Sequence, residues 1–270
     1  MSSSRPGYGF LLSRRWLGFA LFVILLALVC TRLGFWQLHK LHDRLDRNVV
    51  IEKHLKADAV PLDDALPRDQ QVDELSEWTR VRVEGTFDAE RTVTVKFATR
   101  DGAPGVDVVT PLRLDDGTGI LVDRGWMESQ NSNARPTDLP QVGSGRVTLT
   151  GWLRQDNGAG DDAVEPTDGQ VRAIASRGLA GTVDYPLRRG YLDLLDQSPR
   201  AAGDLKPEPE PELGQGPHFF YALQWWFFAL LAVVGYFWFA RAERKERSEA
   251  AQGGSRSAQG PTDRTPVTPG

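Results

Sequence analysis

The phrase Pro217-His218-Phe219-Phe220-Tyr221-Ala222-Leu223-Gln224-Trp225-Trp226 opens the apolar run that decides how this chain is built. From Phe219 to Phe239 the run is apolar for about one membrane thickness, with Gln224 its only strongly polar side chain. Arg241, Arg244, Lys245 and Arg247 end it. Lipid offers no hydrogen bonds, so a crossing backbone must satisfy its own N–H and C=O groups. A transmembrane helix over 218–240 is the expectation. The histidine, tyrosine and glutamine at its entrance are costly at that depth and raise a functional question.

A second apolar run lies near the other end. Trp16 to about Leu33 follows Arg14 and Arg15 and is long enough to cross, which places a helix over 14–35. A cleaved signal peptide has the same charged start, but no small-x-small cleavage site follows. A lipoprotein signal would use Cys30, and bulky Val29 stands where a small residue belongs. The expectation is an uncleaved anchor. Arg5, Arg14 and Arg15 precede this helix and the 241–247 basic cluster follows the second. The positive-inside rule then puts both termini in the cytoplasm, with both helices in contact with membrane lipid. Residues 1–13 form a cytoplasmic segment. Residues 36–217 form an extracytoplasmic domain, with a Pro/Glu-rich tether at 204–216. Residues 241–270 are basic and then, after Ser248, a Ser/Gly/Pro/Thr tail expected to be disordered.

The totals exclude several classes. The 270 residues carry a net charge of -4, with no gathered basic patch, so no nucleic-acid partner is implied. Cys30 is the sole cysteine, which excludes an internal disulfide and any zinc or iron–sulfur site built on cysteine clusters.

Between the helices the apolar period changes. Leu38, Leu41 and Leu45 continue a helical spacing, so the first helix extends outside to about Leu55. Pro61 to Trp78 reads as loop with one short helix. Val81 and Val83 alternate with Arg82 and Glu84; Val93, Val95 and Phe97 alternate with Thr94 and Lys96. Val106 to Leu114 is a further strand, in which Pro111 suggests an edge or a bulge. Asp115-Asp116-Gly117-Thr118-Gly119 is a turn into Ile120-Leu121-Val122. Val147, Leu149 and Leu153 mark another strand, with Gly151 a bulge or close approach. Val171 to Ile174 and Tyr191 to Leu195 are weaker strand or helix signals. The fold class is a membrane protein of the α+β type. Its two transmembrane helices flank a mostly antiparallel β domain, a small barrel or sandwich with helical insertions.

No nucleophile elbow, phosphate loop, zinc signature or dinucleotide turn is present, so no enzyme is expected. Asp115 and Asp116 are adjacent acids, but a turn favours Asp for backbone reasons. His39 and His42 read as solvated residues of a charged helix, since no third ligand is spaced near them. Arg124-Gly125-Trp126 closes a strand and reads either as a packed Trp with an Arg lying over it or as a binding element. His218 is the sharpest residue. Imidazole is a common axial ligand to haem iron. Tyr221 and Trp225 follow on its face, and Gln224 and Trp225 could donate to a propionate or to another helix. The alternative is a histidine that caps the helix in the headgroup region, with the aromatics as an interfacial belt.

Three phrases together resemble one family. They are Gly34-x-Trp36-Gln37-x-x-Lys40; Val109-Thr110-Pro111-Leu112 leading through Asp116-Gly117-x-Gly119 to Val122-x-Arg124-Gly125-Trp126; and His218-x-x-Tyr221-Ala222-x-Gln224-Trp225. Their order along nearly the whole chain is similar to the Surfeit locus family of cytochrome c oxidase assembly proteins. Gly85-x-Phe87-Asp88 and Gly105 also stand where that pattern has them. Departures are Met127-Glu128 where Pro is usual, Asp107 where an aromatic is frequent, and Lys40 in place of Arg. The resemblance implies a membrane protein that matures the haem-bearing subunit of the oxidase. It implies haem a as cofactor, with His218 as iron ligand beside Tyr221, Gln224 and Trp225. It assigns structural or partner-contact roles to Gly34, Trp36, Gln37, Gly85, Thr110, Pro111, Arg124, Gly125 and Trp126. A cofactor-free scaffold that docks on the oxidase subunit is the alternative, through small residues Ala222, Ala229, Ala232 and Gly235. A membrane sensor ranks behind both, because no output domain is evident.

Overall fold

A computed structural model describes residues 8–131, 134–200 and 203–257. The expected cytoplasmic start before Tyr8 and the tail over 258–270 lie outside the described residues. The chain divides into two compact units: Met1–Leu45 with Gln215–Gly270, and Asp46–Gly214.

The first unit is a helix pair. Helix α1 spans Arg14–Lys56 and runs on into the second unit, as the leucine spacing expects. Within the first unit its buried positions are Trp16, Val23, Cys30, Gly34 and Leu41. These recur at steps of seven and four, the seam of two helices packed side by side. The last helix, α5 as numbered below, spans His218–Ser257. Trp16 meets Tyr236 edge to face at 5.6 Å, and Phe35 meets Trp226 at 5.5 Å, so the two helices run antiparallel. Gly34 permits this approach: a Cβ there would overlap the Trp226 indole. Ala222 is buried on the same side, while Leu17, Leu21, Phe22, Leu230 and Phe237 stand exposed. A shell of exposed leucine and phenylalanine around a thin seam suits lipid and supports membrane association. The final helix does not stop near Ser248. Arg247 pairs with Glu243 at 2.8 Å and Lys245 with Glu249 at 3.9 Å, and such spaced ion pairs prolong a helix beyond its apolar stretch.

The second unit is built on an eight-stranded mixed sheet among the described residues. Its elements are β1 (Val60–Pro61), α2 (Leu62–Ala65), β2 (Arg80–Phe87), β3 (Val93–Arg100), β4 (Ala103–Leu114), β5 (Gly119–Glu128), β6 (Arg146–Arg154), α3 (Asp161–Val164), β7 (Gln170–Val171), α4 (Ser176–Leu179) and β8 (Leu187–Ser198). The spatial order is β1-β2-β6-β8-β5-β4-β3-β7, and β2 also pairs with β4. That extra pairing closes β2, β6, β8, β5 and β4 into a small barrel. Most pairings are antiparallel, but β5 and β8 run parallel, which the strand signals did not reveal. Alternation puts Val81, Val83, Leu112, Ile120, Val122, Leu149 and Leu192 into one inner cluster. Val109, Leu121, Val171 and Leu179 pack on the other side of the wall. Strand β5 is therefore buried on both faces from Gly119 to Trp126.

Three expectations are refined here. Pro111 is on neither an edge nor a bulge. Strand β4 pairs with β3 up to Val109 and with β2 from Leu112, so Pro111 falls in the handover. Its carbonyl accepts from Asp88 N at 2.9 Å on that side, and its missing N–H faces the same gap. Gly151 does carry a register shift, and a Cβ there would meet the Asp193 carbonyl. Arg124-Gly125-Trp126 lies inside β5 rather than at its end.

Burial of β5 and its neighbour traps charge. Asp123 and Asp193 are opposite one another across the parallel pair. Asp193 bonds Arg154, whose guanidinium lies 3.9 Å from the Trp78 ring centre. Among the described residues Asp123 accepts only from Gly125 N, at 2.9 Å, and burial followed by the nearby Asp107 and Asp193 charges pushes its carboxyl well above the ordinary range. Burial raises Asp193 to about 6, against the pull of Arg154. Burial likewise raises Asp107 to about 6, against the pull of Arg100.

Two outcomes follow. These raised acids hold protons that the unfolded chain releases, so folding stability falls as pH rises from about 4 through about 6, where Asp107 and Asp193 give up their protons. Asp123→Asn mimics the protonated acid and makes that fall shallower in urea titrations followed by tryptophan fluorescence; an unchanged slope contradicts a proton held there. Gly34→Leu drives a side chain into Trp226 and lowers resistance of the helix pair to unfolding in detergent by about 1–3 kcal/mol. Unaltered resistance would remove Gly34 from the seam.

Candidate functional site

The entrance of α5 and one turn of α1 meet at a single hydrogen bond. His218 Nδ1 lies 2.9 Å from Gln37 Oε1. An amide oxygen only accepts, so Nδ1 carries the hydrogen, and in the neutral imidazole the lone pair is then on Nε2. His218 is half-buried at the first position of α5, where the phrase Gly216-Pro217 lets the chain enter the helix. The first and third of the three sequence phrases therefore converge, through Gly34 against Trp226 and Gln37 against His218.

The other residues of this entrance are arranged unequally around the axis. Tyr221 is exposed and Trp225 is half-buried, both within about a quarter turn of His218. Gln224 is exposed and stands about 120° round the helix from His218. Trp36 is exposed on α1 beside Arg32, Leu33 and His39. His39 and His42 are exposed, and each ring nitrogen bonds a backbone carbonyl one turn back, at 2.8 Å. No group of three or more potential metal-binding His, Cys, Asp or Glu side chains occurs among the described residues. The donor set at the entrance suits one axial bond to a flat, iron-bearing macrocycle. An oriented imidazole offers Nε2, with exposed Tyr221 and half-buried Trp225 to one side of it.

The middle phrase builds a second locus inside the β unit. Gly85 lies where β2 meets β4, and a Cβ there would strike the Arg113 carbonyl. Thr110 is fully buried, 3.0 Å from the Thr92 hydroxyl. Trp126 fills the space that Gly105 leaves open and donates from Nε1 to the Ala98 carbonyl at 2.9 Å. The cations over the Trp126 ring are Lys206 at 4.9 Å and Arg100 at 5.9 Å, not Arg124. Arg124 instead lies 5.9 Å from the Phe87 ring and donates to the Pro140 carbonyl at 2.9 Å. Gly125 has φ +121°, and the Lys206 carbonyl sits where its Cβ would be. This lets the segment around Lys206 bond both backbone groups of Trp126 at 2.8 Å.

Sequence reading missed the role of Asp116. It caps its own turn, accepting from Thr118 N at 2.8 Å, and also holds the buried Arg188 at 2.7 Å. Arg188 lies far along the chain, so no local pattern announces the pair.

The comparisons with known proteins agree with the resemblance read above. A sequence profile of the SURF1 family matches residues 24–230. An uncharacterised SURF1-like protein of Mycobacterium bovis is 32% identical over 251 residues, covering 91% of each chain. One of Mycobacterium tuberculosis matches to the same extent. A SURF1-like protein of Rickettsia bellii is 26% identical over 116 residues, 41% of this chain and 44% of that one. The matched span takes in all three phrases, from the turn of α1 that carries Gly34 and Gln37 to the entrance of α5 that carries His218, and this chain belongs to the SURF1 family.

Proposed function

We propose that this protein is a membrane-bound assembly factor for a haem-copper cytochrome c oxidase, holding haem a for the haem-bearing subunit. The observation that carries this reading is the His218–Gln37 bond, which fixes an imidazole with its Nε2 free at a membrane-helix entrance. His218 would ligate iron. Gln37 holds the ring in one orientation and one tautomer, as an acceptor on the far nitrogen does for metal-binding histidines. Tyr221 and Trp225 offer an aromatic surface on one side of it, and Gln224 is placed to reach a group further out. The task is holding and handing over a cargo. No bond is made or broken in it beyond the iron–imidazole bond, so the chain needs no nucleophile or general base.

The apolar shells of α1 and α5 favour insertion of both helices in a bacterial cell membrane. The basic flanks favour cytoplasmic termini, which puts Asp46–Gly214 outside. The small residues Ala222, Ala229 and Ala232 are buried or half-buried in the pair itself. That leaves the scaffold alternative the exposed aromatic side of α5 rather than an alanine face.

Protein purified from cells that make haem a is expected to show a haem absorption spectrum, and His218→Ala to lose it. Gln37→Leu is expected to retain the spectrum but weaken haem affinity by about tenfold or more. An unchanged spectrum in His218→Ala overturns the ligand assignment. Colourless wild-type protein that still co-purifies with the oxidase subunit selects the cofactor-free scaffold. Alkaline phosphatase fused near Arg124 is expected to be active; activity only of a cytoplasmic reporter there overturns the topology.

A further inference from the structure

Strand β5 carries a guanidinium with unused donors. Arg124 is 5% exposed, and its Nε has no hydrogen-bond partner. Nη1 donates to the Pro140 carbonyl, the single bond of this side chain among the described residues. No carboxylate among them pairs with it, and burial alone draws its pKa down to about 10, so it remains a cation at neutral pH. A buried cation without an acid is expensive and persists where something else compensates it.

Arg124 lines a cleft of about 350 Å³ in the β unit. Leu194 and Leu205, both half-buried, supply apolar wall, and Lys206, Arg200, Asp196 and Asp204 stand exposed around it. The wall is fastened to the strand. Lys206 exchanges two backbone hydrogen bonds with Trp126, and glycine at position 125 is what allows the contact. Nη1 is spoken for and Nε is closed off from solvent, which leaves Nη2 as the donor that a carboxylate oxygen can reach. Three cations against two acids leave the cleft one positive charge, which one monoanion balances.

We infer that this cleft binds an organic monoanion, a carboxylate on an apolar stem, with Arg124 as its anchor and the leucines against the stem. The site is separate from the His218 entrance and stands or falls independently of haem binding.

The test is calorimetric titration of the intact protein in detergent at constant ionic strength, with butyrate as probe and inorganic phosphate as the second arm. Butyrate is expected to bind saturably and phosphate more weakly. Arg124→Gln is expected to weaken butyrate binding about tenfold or more. Because that variant also loses the Pro140 contact, two exposed positions carry the test independently. Lys206→Glu is expected to weaken binding about threefold, and Asp196→Asn to strengthen it by a similar factor. A purely structural Arg124 gives no reason for those opposite signs. Absence of saturable butyrate binding, or affinity unmoved by both Arg124→Gln and Lys206→Glu, overturns the site. Tighter binding of phosphate overturns the carboxylate assignment.

Discussion

Closure of the barrel depends on one close approach. Strand β2 touches β6 along its length and also β4 at Gly85, Thr86 and Phe87. Gly85 has the Arg113 carbonyl and the Leu112 side chain where any Cβ would stand, so only glycine allows the two strands to meet. With the ring closed, β5 has apolar clusters on both sides. Every charged residue on that strand up to Trp126 is then inside the protein. The proton-holding Asp123, the ion-paired Asp193 beside it, and the unpaired Arg124 are consequences of that geometry.

The same economy operates in the helix pair. Two helices whose apolar side chains stand mostly exposed bury little of that surface against one another. What draws them together is fit and polarity: a glycine opposite an indole, edge-to-face rings at Trp16 and Tyr236, and a histidine bonded to a glutamine. The polar bond lies at the entrance of α5 and turns Nδ1 of His218 towards Gln37.

Alternation made β2 and β6 legible, because a strand with one face inside repeats every two residues. Tyr191 to Leu195 resisted the same reading. Strand β8 pairs parallel to β5 and antiparallel to β6, and its residues Leu192 and Asp193 are both buried. A run covered on both faces loses its period. Pro111 misled for a related reason: proline marks an unpaired N–H, and an unpaired N–H arises where a central strand changes partners as readily as at an edge.

The chain's own order of residues determined the two apolar helices, the β character of the middle, the turn at Asp116-Gly117 and the three phrases that reveal the family. Those are local or periodic properties, set by burial and backbone preference within a few residues. Only the tertiary structure decided that Gln37 bonds His218, that Arg154 meets Asp193, that Lys206 covers Trp126 and that Arg124 pairs with no acid among the described residues. Each of these joins or separates groups distant along the chain, and distance along a chain says nothing of contact until the strands and helices have closed around them.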